Sequence, residues 1–219
     1  MGRVFVDLSH TVHDGLVTFK GFPAPVICDF MSREESRKFY SEGTSFQIGR
    51  IDMVANTGTY IDAPFHRFED GKDLSELELS SLAELEGLVV RATGIAGRAV
   101  GRELFADLDM RGKAVLVETG WSRHWNTEAY FEGHVFLTRE AAEYLRDKGA
   151  ALVGIDSYNI DDTEDWSRPA HSILLGAEIP ICEHMRGLEQ IPERGCRFYA
   201  VPVKVKGMGS FPVRAYATV

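Results

Sequence analysis

The sequence predicts an α/β fold, and the clearest sign is a helix that leads directly into a buried strand. Thr138 is a typical helix N-cap, Gly149 ends the helix, and residues 151–155 form a short apolar run. Further apolar runs at 178–182 and 198–203 predict additional strands of a mixed sheet. With 219 residues, 44% of them hydrophobic and 26% charged, the chain has the size and composition of one globular domain.

The N-terminal part opens with a strand and a long loop. Residues 4–8 are apolar enough to predict the strand, and a Gly/Pro-rich loop with Phe19 and Phe22 follows. No repeat, low-complexity tract or Pro/Ser-rich linker divides the chain. We therefore predict one domain spanning residues 1–219.

The middle of the chain predicts a short helix and two strands. Leucines between residues 74 and 85 fall partly on helical spacing, with Ser75 as a possible cap and Gly87 as the breaker. Strands are predicted at 88–93 and 114–118. The second strand runs into Thr119-Gly120-Trp121, a strand exit where a substrate could sit.

The last elements carry features that refine their placement. Within the helix after Thr138, a stripe formed by Ala141, Ala142 and Leu145 predicts a buried face. Pro180 and Pro202 lie in the last two apolar runs. Because proline cannot donate to a sheet, those strands are expected at an edge or with a bulge.

Charge and apolar patterning exclude two classes of partner. The formal charge is -9 and no cluster of Lys and Arg is present, so nucleic acid is an unexpected ligand. The N-terminus lacks the apolar core of a secretory signal, and no stretch approaches the roughly 20 apolar residues that span a bilayer. We expect a cytoplasmic protein with no membrane partner. Cys28, Cys182 and Cys196 are expected to be reduced and mostly buried.

The most informative segment is Asn56-Thr57-Gly58-Thr59-Tyr60-Ile61-Asp62-Ala63-Pro64-Phe65-His66. Asn56, Tyr60, Asp62 and His66 share even parity, so in an extended chain they project to one side unless Gly58 and Pro64 reset the register. Such an irregular stretch suits a site better than a core strand.

Two downstream residues extend this set of polar side chains. His171 follows Pro169 in a polar segment, and Glu183 ends an apolar run. With Asp62 and His66 they would supply two imidazoles and two carboxylates, a mixture suited to Zn²⁺, Mn²⁺ or Fe²⁺. Residue types alone leave the alternative open that all four are surface or otherwise satisfied polar groups.

The segment 56–66 resembles the H-x-G-T-H-x-D-x-P-x-H signature of the cyclase family, which includes bacterial kynurenine formamidases and isatin hydrolases. The resemblance covers nearly the whole chain, through these ordered landmarks: 6–10, 119–121, 154–157, His171 with 174–175, and 209–214. It implies a swivelling β/β/α fold with a mixed, partly barrel-like sheet flanked by helices. It also implies a homodimer or homotetramer and, for the kynurenine formamidases (arylformamidases), a place in tryptophan catabolism.

The resemblance also implies a metal site, which this chain matches only in part. Asp62 and His66 match the signature, and His171 and Glu183 fall in the matching downstream segments, so these four are the implied metal ligands. Asn56 and Tyr60 stand where the family has its first two histidines. An amide oxygen is a weak ligand and a phenol binds poorly unless ionised. We expect one divalent metal, Zn or Mn, with the second metal position lost; a metal-free site is the alternative.

The implied reaction is hydrolysis of an amide or lactone bond in a small substrate by a metal-activated water. His66, Tyr60 and Glu183 are the candidate catalytic residues for moving protons or stabilising an oxyanion. Asn56, Tyr60, Phe19 and Trp121 are the candidate substrate-binding residues. Simpler roles remain open: Tyr60 as filler of a vacated metal pocket, and Asn56 as a turn-stabilising amide.

Two other functions stay open beside hydrolysis. One is a related lyase, dehydratase or cyclase in which Tyr60 is the acid and no binuclear centre forms. The other is a catalytically silent protein that binds a small molecule. Two further features predict less: His10 and His13 are expected in solvent, and the acidic run 161–165 is expected to be a solvated loop.

Overall fold

A curled, mixed β-sheet organises residues 2–219, the part of the chain described by this computed structural model. The strands are β1 (Phe5–Asp7), β2 (Val26–Met31), β3 (Ile48–Asp52), β4 (Tyr60–Asp62), β5 (Leu85–Arg91), β6 (Ala99–Val100), β7 (Ala114–Glu118), β8 (Phe136–Leu137), β9 (Leu152–Ile155), β10 (Ile181–Glu183), β11 (Cys196–Tyr199), β12 (Ser210–Pro212) and β13 (Tyr216–Thr218). Nine of the strands in the described residues form the main sheet, in the order β1-β13-β11-β5-β7-β9-β10-β4-β12.

Few helices accompany this sheet. The α-helices are α1 (Arg33–Ser36), α2 (Arg139–Asp147) and α3 (Pro169–Gly176). Short 3-10 helices span Pro64–His66, Leu79–Ser81, Arg102–Phe105, Trp121–His124, Glu128–Phe131 and Leu188–Gln190. None of the helices within residues 2–219 is long and apolar enough to cross a membrane. The predicted α/β fold with a partly barrel-like mixed sheet is confirmed.

Four parallel strands, β5, β7, β9 and β10, lie at the centre of the sheet. Their sequences are nearly continuous apolar runs because other parts of the protein pack against both faces of these strands. One face packs with α2 and α3 around residues such as Val117, Leu145 and Ile155, and the other packs around Leu116 and Phe198. The predicted strand at 114–118 has those bounds, and those at 88–93 and 151–155 are shifted by one to three residues.

Helix α2 is confirmed with its cap. The Thr138 hydroxyl accepts a hydrogen bond from the backbone N–H of Ala141, which satisfies one of the free donors of the first turn. Ala141, Ala142 and Leu145 are fully buried, as the stripe predicts.

The predicted helix at 74–85 is wrong. The segment consists of turns and a single 3-10 turn, and β5 already begins at Leu85. Ser75 does not cap a helix but donates from its backbone N–H and its hydroxyl to Asp73, which makes a local turn. Gly87 lies inside β5, where a Cβ would stand 2.4 Å from the Cys196 sulfur. Leu74 and Leu82 are buried although they lie in turns, so their spacing resembles that of a helix without a helix being present.

The apolar runs 178–182 and 198–203 were predicted to form strands at an edge or with a bulge, and both alternatives are wrong. β10 lies between β9 and β4, and β11 lies between β13 and β5. Pro180 and Pro202 fall just outside these strands, so neither occupies a position that needs an N–H donor. Of the three cysteines, Cys182 and Cys196 are buried as free thiols and Cys28 is exposed.

Candidate active site and metal centre

The site is built where β4 runs between β10 and β12. Tyr60 lies opposite Glu183 across one strand pair, and Asp62 lies opposite Ser210 across the other. This pairing brings the residues of segment 56–66 beside side chains from more than 100 positions away. The antiparallel register therefore assembles the floor of the site.

The chain turns sharply after β4, which brings His66 back to the site. Pro64 occupies the first turn of a 3-10 helix that ends at His66, so the even parity of an extended chain is not kept. Gly209 makes this turn possible, because a Cβ there would stand 2.5 Å from the backbone nitrogen and Cα of His66. Only glycine allows this close approach.

Three potential metal ligands meet at this point. Asp62, His66 and His171 each offer an atom, and these atoms lie within 4.8 Å of one another. Nε2 of His171 is 3.6 Å from Oδ2 of Asp62, and Nδ1 of His66 is 3.7 Å from Oδ1 of the same carboxylate. Oδ2 of Asp62 is buried and has no hydrogen-bond partner among residues 2–219. A carboxylate that lies beside two imidazoles and keeps one oxygen without a hydrogen-bond partner is an arrangement suited to a metal ion.

Asp161 holds the His171 ring in place. Its Oδ2 is 2.6 Å from Nδ1 of His171, and the carboxylate also accepts from the backbone N–H groups of Ala170 and His171. The other ring nitrogen, Nε2, is thereby directed at Asp62. The acidic run 161–165 was expected to be a solvated loop, and that is wrong for its first member, since Asp161 is fully buried.

Asp62 is held by neutral donors on its other oxygen. The Ser210 hydroxyl donates to Oδ1, and the side-chain amide of Asn56 lies 3.4 Å from the same atom. The Ser210 hydroxyl oxygen is also 3.0 Å from Nδ1 of His66. Ser210 thus links the carboxylate to one of the two imidazoles. Nothing in the sequence distinguished it from any other serine.

Glu183 lies beside the three ligands but makes its own contacts. The Tyr60 hydroxyl donates to its Oε2 over 2.5 Å, and the backbone N–H of Ile160 donates to its Oε1 over 2.6 Å. Its Oε2 is 3.8 Å from Nε2 of His171. Within residues 2–219, the group of three mutually close ligand atoms does not include Glu183.

Burial and crowding of charges shift the pKa values in the site. Burial, helped by the charge of Asp62, raises the pKa of Glu183 to about 7. Burial and the nearby Glu183 and Asp62 raise the pKa of Tyr60 well above 10, so its hydroxyl keeps its proton. Burial disfavours charge on His171, but Glu183, Asp161 and Asp62 outweigh it and raise its pKa to about 10. The protein therefore builds an acidic pocket that attracts positive charge.

A cavity of about 230 Å³ opens above these groups. It is lined by Phe19, Phe22, Asn56, Tyr60, His66, Arg67, Asn159, Arg168, His171 and Glu183. The two Phe rings lie 4.9 Å apart, and Phe19 also stacks on Tyr158 at 4.8 Å. The cavity thus combines an aromatic wall with a polar floor, and it gathers most of the candidate site residues.

Trp121 and His10 lie elsewhere. The Trp121 indole N–H donates to the carbonyl of Tyr130, and the residue is not among those that line the cavity. His10 is half-buried, stacked on Trp125 at 3.9 Å, so its expected exposure to solvent is wrong, whereas His13 is exposed as expected. The spacing of His10 and His13 could not reveal that Trp125, which is distant in the sequence, covers His10.

Known proteins are similar to this chain over most of its length. A family model described as "Putative cyclase" matches residues 6–162. The chain is 27% identical to the kynurenine formamidase of Bacillus cytotoxicus over 215 residues, which cover 96% of this chain and 95% of the relative. It is 28% identical to the kynurenine formamidase of Erythrobacter litoralis, with 91% and 86% of the two chains covered.

Solved structures show the same architecture. A protein described as a potential metal-dependent hydrolase with cyclase activity superimposes with a TM-score of 0.80 at 27% identity, over 99% of this chain and 98% of the other. Isatin hydrolase A from Labrenzia aggregata gives a TM-score of 0.85 at 21% identity, over 99% and 94% of the chains. At that identity the second likeness concerns the fold alone.

Proposed function

The chain belongs to the cyclase family, and from this premise we propose that it is a metal-dependent hydrolase of a small amide or lactone. Its curated relatives are hydrolases, which supports this reaction class. The observation that carries the proposal is the meeting of Asp62, His66 and His171 around an unpaired carboxylate oxygen. The large majority of buried polar side-chain atoms have a hydrogen-bond partner, so a buried carboxylate oxygen without one, next to two imidazoles, supports a bound cation.

The donor set fits one divalent ion. Asp62, His66 and His171 supply one oxygen and two nitrogens, a combination used for Zn²⁺ and Mn²⁺. Glu183, whose two oxygens accept hydrogen bonds from Tyr60 and Ile160, is proposed as a base beside the ion and not as its fourth ligand. When bound, such an ion polarises a carbonyl and lowers the pKa of a bound water. Asn56 and Tyr60 offer no imidazole, and both are already bonded to the carboxylates of the site. We infer that a second metal position is lost.

Glu183 is the proposed proton carrier. Its carboxylate takes a proton from water as the hydroxide adds to the carbonyl carbon, and returns it to the leaving nitrogen or oxygen as the bond breaks. A pKa of about 7 suits both directions of transfer near neutral pH. The Tyr60 hydroxyl holds Oε2 of this carboxylate, and His66 borders the same cavity.

The aromatic wall supports an aryl substrate. Phe19 and Phe22 can pack against a planar ring whose amide bond reaches Glu183 and His171 on the floor of the cavity. An N-formyl arylamine matches this shape and the arylformamidase activity of the named relatives. A place in tryptophan catabolism follows if the arylamine is formylkynurenine.

A second candidate function is a lyase, dehydratase or cyclase reaction with Tyr60 as the acid. The observation that favours it is the 2.5 Å hydrogen bond between Tyr60 and Glu183, which pairs a phenol with a carboxylate inside the cavity. Such a pair can pass a proton without a metal. This second function would be supported if the metal-free protein still converted a substrate and the Tyr60→Phe variant did not.

The test is metal content together with formanilide hydrolysis, on protein purified without chelators. Near-stoichiometric Zn or Mn and turnover, both lost in Asp62→Ala and His171→Ala, support the proposal. His124→Ala is the matched control because His124 stands on a different 3-10 helix, outside the cavity. Absence of metal, with no product from an amide, lactone and hydroxy-acid panel, would favour a binding protein instead.

We also propose a homo-oligomer, a dimer or tetramer, formed through the β2–β3 hairpin. The two strands pair only with each other among the described elements, and an isolated hairpin is marginally stable in water. Exposed apolar side chains cover it: Val26, Phe30, Phe39, Tyr40, Ile48 and Ile51. A second copy is the commonest partner for such a surface.

Light scattering tests this assembly directly. Phe30→Glu should reduce the mass to that of one chain, whereas Val203→Glu, at another exposed apolar side chain, should not. A monomeric wild-type protein would contradict the proposal.

A further inference from the structure

The side-chain amide of Asn159 faces the cavity above the site. Asn159 lies in the loop that follows β9, is only 8% exposed and lines the cavity. The other asparagines of the chain differ from it, since Asn126 is exposed and the amide of Asn56 lies 3.4 Å from Oδ1 of Asp62. Asn159 thus brings to the cavity an amide that is not engaged with a carboxylate of the site.

One end of the Asn159 amide is fixed by the backbone. Its Oδ1 accepts a hydrogen bond from the N–H of Asp161 over 3.0 Å. Turning the amide over would place its NH2 group against this N–H, so the bond determines which end faces the backbone. The NH2 group is therefore directed away from residue 161.

The NH2 end of the amide has no acceptor within residues 2–219. The buried side-chain atoms without a hydrogen-bond partner in this part of the chain belong to His10, Asp62 and His184, so Nδ2 of Asn159 is not enclosed by protein. Because Asn159 borders the cavity, its two N–H donors are open to a molecule bound there.

The residues that follow Asn159 hold it beside the reacting groups. Ile160 donates its backbone N–H to Oε1 of Glu183 over 2.6 Å, and Oδ2 of Asp161 lies 2.6 Å from Nδ1 of His171. Three consecutive residues therefore serve one site, and two of them fix the backbone next to the proposed base. A donor held in this way needs little reorganisation when charge develops near it.

We propose that Asn159 is a catalytic residue whose NH2 group donates a hydrogen bond to the carbonyl oxygen of the substrate. The oxygen of a water molecule bonds to the carbonyl carbon while Glu183 takes its proton, and the π electron pair moves onto the carbonyl oxygen, where the Asn159 N–H stabilises it. The pair then re-forms the C=O bond, the bond to the leaving nitrogen or oxygen breaks, and Glu183 returns the proton. This inference rests on the proposed hydrolase function and assigns one more residue to it.

A neutral amide suits this position. The floor of the cavity already holds the buried carboxyl groups of Asp62 and Glu183. An asparagine amide donates hydrogen bonds without carrying or taking up a proton that titrates, so it stays a donor over the whole working range of pH.

The test is formanilide hydrolysis by Asn159→Ala and Asn159→Asp, with kcat taken at the pH optimum of each protein so that a changed pKa of Glu183 does not imitate the loss. We expect kcat to fall by about 100-fold in both variants, the usual effect of removing such a donor, with KM within about threefold of wild type and metal content unchanged. The Asp side chain keeps the oxygen that accepts from Asp161 but replaces the NH2 group by a second oxygen. A residue that only held the loop would tolerate this change, so a wild-type kcat in Asn159→Asp would overturn the inference.

Thioformanilide gives a second measurement of the same contact. Sulfur is a weak hydrogen-bond acceptor, so the ratio of kcat/KM for formanilide to that for thioformanilide should fall about tenfold in Asn159→Ala. An unchanged ratio would contradict a bond to the carbonyl oxygen. Asn126→Asp is the matched control, because Asn126 is exposed and outside the cavity, and it should keep both kcat and the ratio.

Failure of the hydrolase itself would look different. An error in the role of Asn159 leaves formanilide turnover by the wild type in place, whereas an error in the proposed hydrolase removes it. In the second case, calorimetric binding of formanilide decides the inference. Weaker binding to Asn159→Ala than to wild type supports the contact with the carbonyl oxygen, and equal binding or no binding overturns it.

Discussion

Asp161 and His171 form a buried pair, with Oδ2 of the aspartate 2.6 Å from Nδ1 of the imidazole. The pair leaves Nε2 of His171 facing Asp62 at 3.6 Å. A carboxylate behind a metal-binding histidine fixes the ring and its tautomer and raises the basicity of the ligating nitrogen. Asp161 is thus a positioning residue for the proposed metal centre.

Asp161→Asn should weaken metal binding by about 10- to 100-fold, the usual effect of removing such a partner. The amide keeps the shape but loses the charge that holds the ring. Competition with a chromophoric chelator measures the affinity, with Glu164→Gln as an exposed acidic control from the same loop. An unchanged affinity would mean that His171 does not ligate through Nε2.

The double variant Asn56→His/Tyr60→His should raise the metal content from about one ion per chain to about two, because imidazole is a far better ligand than an amide or a protonated phenol. Both positions line the cavity, and Asn56 contacts Asp62 while Tyr60 contacts Glu183, so the added rings would lie beside both carboxylates. Elemental analysis of both proteins gives the answer. Two ions in the wild type would contradict the loss of the second position.

Tyr60→Phe should lower kcat by about 100-fold while metal content is retained, because the hydroxyl is not one of the three ligands and contributes to proton transfer through Glu183. Steady-state kinetics and elemental analysis on the same sample separate the two effects. Tyr199→Phe, far along the sheet and stacked on Tyr216, is the control. Loss of metal in Tyr60→Phe would point to a ligand role instead.

His10 should make the fold sensitive to mild acid. Burial, together with the charge of Arg186, lowers its pKa from 6.5 to about 4, so the folded state keeps the ring neutral while the unfolded chain takes up a proton. The free energy of unfolding should therefore fall as the pH drops from about 6.5 to 4, by up to about 3 kcal/mol.

Other titratable and charged groups lie around His10, and their effects must be separated from its own. His184 is close enough for its charge to interact with that of His10, and burial lowers the pKa of His184 as well. A groove beside His10 is bordered by Glu118, Arg123 and Glu189. Urea unfolding of His10→Gln should give a flatter pH profile than wild type. The exposed His13→Gln should not, and a profile identical in all three proteins would refute the role of His10.

The sequence predicted the sheet better than it predicted the surroundings of the site. Strands such as β7 and β9 are continuous apolar runs because both faces are buried, and that pattern is local. The leucines at 74–85 led to a wrong helix prediction because side chains in turns can be buried at intervals that resemble helical spacing. Pro180 led to a wrong edge prediction because it precedes the first residue of β10, so no hydrogen bond of the sheet is lost.

The candidate site shows the same division. Asp62, His66, His171 and Glu183 stand out by residue type, and the fold brings them together through strand pairing and helix α3. Asp161 and Ser210 do not stand out, since their roles depend on contacts with residues 10 and 148 positions away. Only the register of β4 against β12, and the docking of α3, reveal them.

The most direct test of the metal centre is anomalous X-ray scattering from crystals of protein purified without chelators. One peak per chain is expected, about 2 Å from Oδ2 of Asp62 and Nε2 of His171 and bound by His66, as for Zn or Mn ligands. The absence of a peak between these three residues, or a second peak bound by Asn56 and Tyr60, would contradict the proposed single-metal centre.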